Sequence, residues 1–300
     1  MKQNDKLFTL NDIFEVDSNQ LPFNLELALE NTTDGNIGSS ITQLKDLCYD
    51  AFKSLQTETK ERTLFRFVRF PNNENWDRDK CPIIKDIINN SITLASPMKF
   101  NDPMDPLIKV WVELRKKEKH SDSIDKKLYE CLSAILDNIR ICCLVDPLHS
   151  TRSTHPNVNK CNTLMWAHYA DSHRGICIQY NIKPSNIVDT RNRVIRLFDV
   201  KYNKSFPLDG KIPFVDALLT KGNYWEYEKE CRLLLYSTRK EDEYCQLKDY
   251  EVNAVYMGSR IGKEQRNCLR TICREKNIDL YQMAFSKSDI SKLEAHKIEV

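Results

Sequence analysis

The chain has 300 residues, 41% of them hydrophobic and 29% charged, and carries a formal net charge of +2. That balance describes an ordinary globular protein with a real core, and it offers no global electrostatic case for binding nucleic acid or an anionic membrane. No apolar run approaches the roughly eighteen residues of a membrane span, and the opening stretch lacks the apolar centre of a signal peptide.

Eleven cysteines are scattered without a CxxC pair. An odd count without a leader points to reduced, buried thiols in a cytoplasm. With seven glycines and neither GxGxxG nor GxxxxGK[ST], a Rossmann or P-loop phosphate cradle is not expected.

Residues 1–60 read as an N-terminal extension holding one amphipathic helix, because Ile41, Leu44, Leu47, Cys48, Phe52 and Leu55 recur at helical spacing. Residues 61–300 read as a single α+β domain. The stretch "TLFRFVRF" at 63–70 alternates as a strand, with Leu64, Arg66, Val68 and Phe70 on one face and Phe65, Phe67 and Arg69 on the other. A short helix and a strand at 91–95 follow, then the proline-punctuated turn "SPMKFNDPMDP". Ile124, Leu128, Cys131, Leu132, Ile135 and Ile139 form a helical stripe ahead of a buried strand at 140–145, and 146–160 is a polar loop.

Further on, "NTLMWAHYAD" predicts a short helix and "RGICIQY" a strand. Another strand is expected at 194–202 and a helix over 213–221. The chain closes with a strand at 253–258, a helix over 262–276 and the strand "DLYQMAF". The fold class expected is α+β, with mixed, largely antiparallel sheets flanked by helices.

The run "NYWEYEKECRLLLYS" at 223–237 carries the most chemistry. Read as one strand, it puts Glu228, Glu230 and Arg232 on one side and the core residues Cys231, Leu233 and Leu235 on the other. Three charges beside a core strand are either an ion-pair lattice or a site. In "FNDPMD", Asn101 and Asp102 suit an Asx turn, while Asp102 or Asp105 facing a cleft would position an arginine or a ligand hydroxyl. Trp166 and Tyr169, three apart on a helix, supply either core or the wall of a ligand pocket. Cys161, His168, His173 and Cys177 fit no standard zinc spacing, so no metal is expected.

Taken together, the aromatic-arginine strand, FNDPMD, "MWAHYADSHRG", "WEYEKECR" and the late "VYMG" resemble, in that order, the domain-of-unknown-function 2971 family. The resemblance spans about two thirds of the chain and leaves out the first 60 residues. It implies no firm activity, although members look like bacterial or phage-borne conflict proteins.

A second resemblance, to ADP-ribosyltransferases, rests on an early strand arginine, central aromatics and the Glu228-x-Glu230 pair entering a late strand. No Ser-Thr-Ser strand motif stands between them. It implies an ADP-ribosyltransferase-like core acting on NAD, either as a transferase toward a protein or nucleic acid or as a glycohydrolase, in a toxin or antiviral defence role. A carboxylate beside the ribose stabilises the oxocarbenium-like sugar formed when nicotinamide leaves. The implied roles fall on Glu230 for that charge, Glu228 for the acceptor and Arg66 or Arg69 for the pyrophosphate. Trp166 or Tyr169 would stack on nicotinamide. Asn101 and Asp102 complete the expected cofactor-binding set.

Two other readings use the same residues. A metal-dependent nuclease would take Asp102, Asp105, Glu228 and Glu230 as oxygen ligands with Lys221 near the phosphate. A non-catalytic module would bind a nucleotide or merely hold the fold.

Overall fold

The structure, a computed structural model, describes residues 37–56, 58–70, 81–102, 104–107, 130, 133–146, 163–204, 214–289 and 292–299. The polar loop at 147–160, most of the stripe that starts at Ile124, and everything before residue 37 lie outside that set.

In chain order the elements are α1 (Ile37–Ser54), β1 (Arg62–Val68), α2 (Pro82–Asn89), β2 (Ser91–Ala95), β3 (Ile139–Val145), α3 (Thr163–His168), β4 (Ile176–Ile182), β5 (Arg193–Asp199), β6 (Lys201–Asn203), α4 (Phe214–Leu219), β7 (Thr220–Gly222), β8 (Glu230–Ser237), β9 (Tyr244–Lys248), β10 (Glu251–Met257), α5 (Lys263–Lys276), β11 (Asp279–Phe285) and β12 (Leu293–Ile298). The fold is α+β, built on a ten-stranded sheet of mixed but mostly antiparallel pairing. Only β10 and β11 run parallel within it among the described residues, and α5 makes that crossover.

The path runs β12-β11-β10-β4-β1-β3-β2-β9. The remaining two strands flank it: β8 pairs with β3 along its whole length, and β5 pairs with the far side of β8. The central β3 therefore has β8 on one edge and shares the other between β1 and β2. These pairings place Glu230 opposite Val145, Val145 opposite Phe65 and Phe65 opposite Gln179. Side chains in one such row share a face.

That face, the first, carries two apolar clusters. One gathers Ile139, Ile141, Val194, Leu234 and Tyr236 beneath α1 and α4. Phe52 of α1 stacks on Tyr236 with ring centroids 5.1 Å apart, and the Tyr236 hydroxyl donates to the Lys45 carbonyl at 3.0 Å. The helix of the expected extension thus packs directly on the main sheet. The other cluster gathers Phe65, Phe67, Val145, Cys177 and Tyr256 beneath Met165 and Trp166 of α3.

The second face holds the largest cluster, with Leu64, Cys142, Leu144, Ile178, Leu233 and Leu235 packed against Ile84 and Ile87 of α2 and Leu269 and Ile272 of α5.

Three sequence expectations are corrected. The helix at 213–221 ends at Leu219, and Thr220–Gly222 instead pair as β7 with β6. The strand expected through Glu228 starts only at Glu230: Asn223–Glu228 is a 3-10 helix, closed by Lys229 in the left-handed region at φ 48°. Ile139, assigned to the helical stripe, is the first residue of β3.

Candidate active site

Between the two apolar clusters of the first face the sheet presents charges. Glu230 and Arg232 on β8, Lys221 on β7, Glu228 at the end of the 3-10 helix and Asp105 in the turn after Phe100 all converge there, each less than a tenth exposed. The Lys221 ammonium donates to Glu228 Oε2 at 2.6 Å and to Glu230 Oε2 at 3.1 Å, and lies 3.5 Å from Asp105. Arg232 donates through Nε to Glu230 Oε1 at 2.7 Å and through Nη2 to both Asp105 oxygens at 2.6 and 2.8 Å. Its Nη1 donates to the Leu218 carbonyl, and the Phe100 ring lies 5.5 Å from the guanidinium carbon. The Tyr169 hydroxyl donates to Glu228 Oε1 at 2.6 Å, and the Glu230 backbone N–H donates to the Tyr202 hydroxyl at 2.8 Å.

Removing ions from water costs several kcal/mol each, and close partners only partly offset it. Here three carboxylates share two cations. The acidities respond in opposite directions. Burial alone would raise Glu230, but Arg232 and Lys221 outweigh it and hold the carboxyl down to about 2. At Glu228, burial outweighs the pull of Lys221, the neighbouring Glu230 adds repulsion, and the carboxyl rises above the ordinary glutamate range. Asp105 also rises, from burial more than from any charge. Burial and the adjacent Glu228 push the Tyr169 phenol up.

An aromatic rim surrounds the Lys221–Glu228 pair. Trp225 lies with its ring 5.1 Å from the Lys221 ammonium, 6.3 Å from His168 and 6.0 Å from Tyr227. Tyr224, 65% exposed, lies beside Trp225. Trp225, Tyr227 and Tyr169 are half-buried and His168 is exposed, so these rings border water.

A second sign of access lies on β3. Cys143 pairs with Arg232 on this face and is exposed, although it sits in a central strand between buried Ile141 and Val145. Burial pushes the Cys143 thiol well up, and the neighbouring Glu230 carboxylate adds to it.

The residues singled out in the sequence divide. Glu228, Glu230 and Tyr169 meet, and Arg232 is the counter-ion of Glu230. Glu228 arrives from the 3-10 helix rather than from the same strand. Arg66 points to the second face and bonds Asp86 at 3.1 Å, so it does not reach the glutamates. Arg69 lies just past the end of β1, 79% exposed and 3.8 Å from Asp171, about 13 Å along the chain from Phe65 and not in contact with the glutamates.

Trp166 is fully buried, edge-on to Phe67 at 5.3 Å, and is core rather than a stacking surface. Asp102 accepts from the Met104 backbone N–H at 2.8 Å, the Asx turn expected of FNDPMD, and Asn101 is exposed. Of that turn it is Asp105 that meets an arginine. His173 stacks on Trp166, and Cys177 is buried in the core. Among the described residues no group of His, Cys, Asp or Glu is arranged to hold a metal ion.

Sequence reasoning missed Trp225, Tyr227, Tyr202 and Cys143 as neighbours of the glutamates, and named Lys221 only as a phosphate contact. The available signal was the lysine inside the apolar "DALLTKGNYW" and the density of aromatics in "NYWEYE".

No helix among the described residues is long and apolar enough to cross a membrane. No curated protein and no solved structure matches the chain. A family model described as "Protein of unknown function (DUF2971)" does match, over residues 165–233, the segment that supplies Tyr169, Lys221, Glu228, Glu230 and Arg232, and over that segment the likeness read from the motifs stands.

Proposed function

We propose that the cluster is the active site of an NAD-consuming enzyme with ADP-ribosyltransferase-like chemistry. One observation carries the reading: Glu228 and Glu230 share Lys221, at 2.6 and 3.1 Å, while their acidities are driven apart. Paired carboxyls with separated acidities are the usual mark of two different catalytic roles.

Glu230, held ionised by Arg232 and Lys221, stabilises the sugar cation. The bond between nicotinamide nitrogen and ribose breaks with its electron pair passing to the ring, which leaves as neutral nicotinamide, and positive charge develops on the ribose. Glu228, a stronger base than an ordinary glutamate when ionised, accepts in that form the proton of the attacking hydroxyl, whether from water or from an acceptor. Tyr169 and Lys221 fix its two oxygens. Arg69, exposed just past the end of β1, is the arginine left to meet a pyrophosphate. The acceptor is a protein or nucleic acid in the transferase version and water in the glycohydrolase version, and the role proposed is that of a conflict or defence effector.

Incubation of the purified chain with NAD labelled in the nicotinamide ring should release free nicotinamide, and Glu230→Gln should lower the rate by roughly 10²–10³-fold, the usual loss when one charge-stabilising group is removed. Absence of release, or release unchanged in Glu230→Gln, contradicts the proposal.

The depth of the cluster favours a second reading, an ion clamp tying the 105 turn, β7 and β8 together. On that reading the same substitution changes the unfolding midpoint and no turnover exists to lose.

A further inference from the structure

Across the sheet from the glutamates, α5 carries a row of basic side chains that its own helix does not neutralise. Lys263, Arg266, Arg270 and Arg274 follow one another three or four residues apart, so they form one exposed stripe, turned away from the buried Leu269, Ile272 and Cys273. Neighbours at those spacings stabilise a helix when their charges are opposite and destabilise it when they are alike. None of the three arginines has an aspartate or glutamate at either spacing, and Arg270 has an arginine on both sides. Lys297 of β12 pairs with Asp279 at 2.8 Å, whereas among the described residues none of the three arginines is ion-paired.

The stripe borders a hollow. Beside the residue that follows β12, Asn267, Arg270, Thr271, Arg274 and Glu299 line a cavity of about 350 Å³. Arg270 Nη2 donates to the Glu299 backbone carbonyl at 3.4 Å, and the Thr271 hydroxyl donates to the Asn267 carbonyl at 3.2 Å. Each guanidinium has five N–H donors, so most of those on Arg270 and Arg274 are left for another acceptor. A guanidinium grips a phosphoryl group through two parallel hydrogen bonds. Two such forks, one helical turn apart on the wall of one cavity, suit two linked phosphoryl groups better than a single carboxylate.

We propose that this cavity binds the diphosphate group of a small molecule, with one phosphoryl on Arg270, the other on Arg274 and the Asn267 amide as a further donor. Because α5 packs on the second face, this is a separate site and does not depend on the NAD reading.

The test is calorimetry on the full chain with pyrophosphate, inorganic phosphate and acetate at one ionic strength. Pyrophosphate should bind at least about tenfold more tightly than phosphate, because two forks are engaged instead of one, and acetate should not bind. Arg270→Ala and Arg274→Ala should each weaken pyrophosphate by about tenfold or more, the ordinary loss for a charge-assisted contact. Lys276→Ala, on the same helix but outside the cavity, should leave it nearly unchanged. Arg270→Gln serves if the alanine variant fails to fold.

Absence of pyrophosphate binding, acetate binding as tightly, or an equal loss in Lys276→Ala would each overturn the site, the last because it leaves only diffuse attraction to a basic helix. Binding lost in Arg69→Ala and kept in Arg270→Ala would overturn it too, by placing the anion beside β1. None of these readouts involves nicotinamide release, so the enzymatic reading stands or falls separately.

Discussion

Among the described residues, the buried ion clusters around Asp86 and around Glu230 are built on different principles. On the second face Asp86, with no exposed surface, accepts from Arg66, from Ser91, from the Thr93 backbone and hydroxyl, and from Gln246, at 2.9 to 3.2 Å. One carboxylate, on α2, meets one guanidinium, and both its oxygens are satisfied by groups from β1, β2 and β9. On the first face three carboxylates share two cations, their acidities diverge, and the cluster borders aromatic rings and an exposed thiol. Full neutralisation is what a scaffold requires, since an unpaired buried charge is expensive. The first-face cluster has more carboxylates than cations, and strongly shifted acidities gather where chemistry is done.

Four substitutions sharpen that contrast. The largest effect on stability is expected of Asp86→Ala, which leaves Arg66 buried without a counter-ion and several donors unsatisfied: a loss of about 3–5 kcal/mol, read from denaturant unfolding. Next comes Glu230→Gln, with its loss falling on nicotinamide release. Tyr169→Phe removes one hydrogen bond to a charged carboxyl, an interaction of about 1.5–3 kcal/mol, and should shift the pH–rate profile upward, because Glu228 loses a donor that favours its ionised form.

The smallest effect is one of pH. Glu228 faces Lys221, Glu230 and Tyr169, and its raised pKa means that the folded protein holds a proton the unfolded chain has released. Its contribution to stability is therefore present in acid and declines as pH rises from the ordinary glutamate range through the raised value. Glu228→Gln should flatten that decline in unfolding titrations. Glu230 behaves oppositely: its contribution is present above the ordinary range and is lost as pH falls from about 4.5 toward 2.

Much of this was legible from sequence because it is local. Alternation in 231–235, 176–182 and 279–285 and the 3.6-residue period of α5 each read directly as what forms. FNDPMD read as an Asx turn, and Arg232 as a counter-ion. The errors came where local pattern and backbone part. A single left-handed residue, Lys229, separates the 3-10 helix from β8, and no side-chain periodicity announces it. Strand β9 went unread because Tyr244, Gln246 and Lys248 face water beside buried Cys245 and Leu247 on an edge strand. The face of Arg66 relative to Phe65 was plain from alternation, but which of the two meets Glu230 depends on the β1–β3–β8 register, a long-range pairing. Lys221 joined the site for the same reason: β7 pairs with β6, far from β8 in local pattern, and tertiary packing alone brings its ammonium between the two glutamates.

The most direct test sets the two clusters side by side: nicotinamide release and unfolding midpoint measured together for the parent chain, Glu230→Gln and Asp86→Asn. The account predicts that the parent releases nicotinamide, that Glu230→Gln loses stability but still unfolds cooperatively and has lost release while folded, and that Asp86→Asn is destabilised yet still releases nicotinamide while folded. Loss of stability alone in both variants, from a parent that leaves NAD intact, would make the first-face cluster a second scaffold and contradict the account.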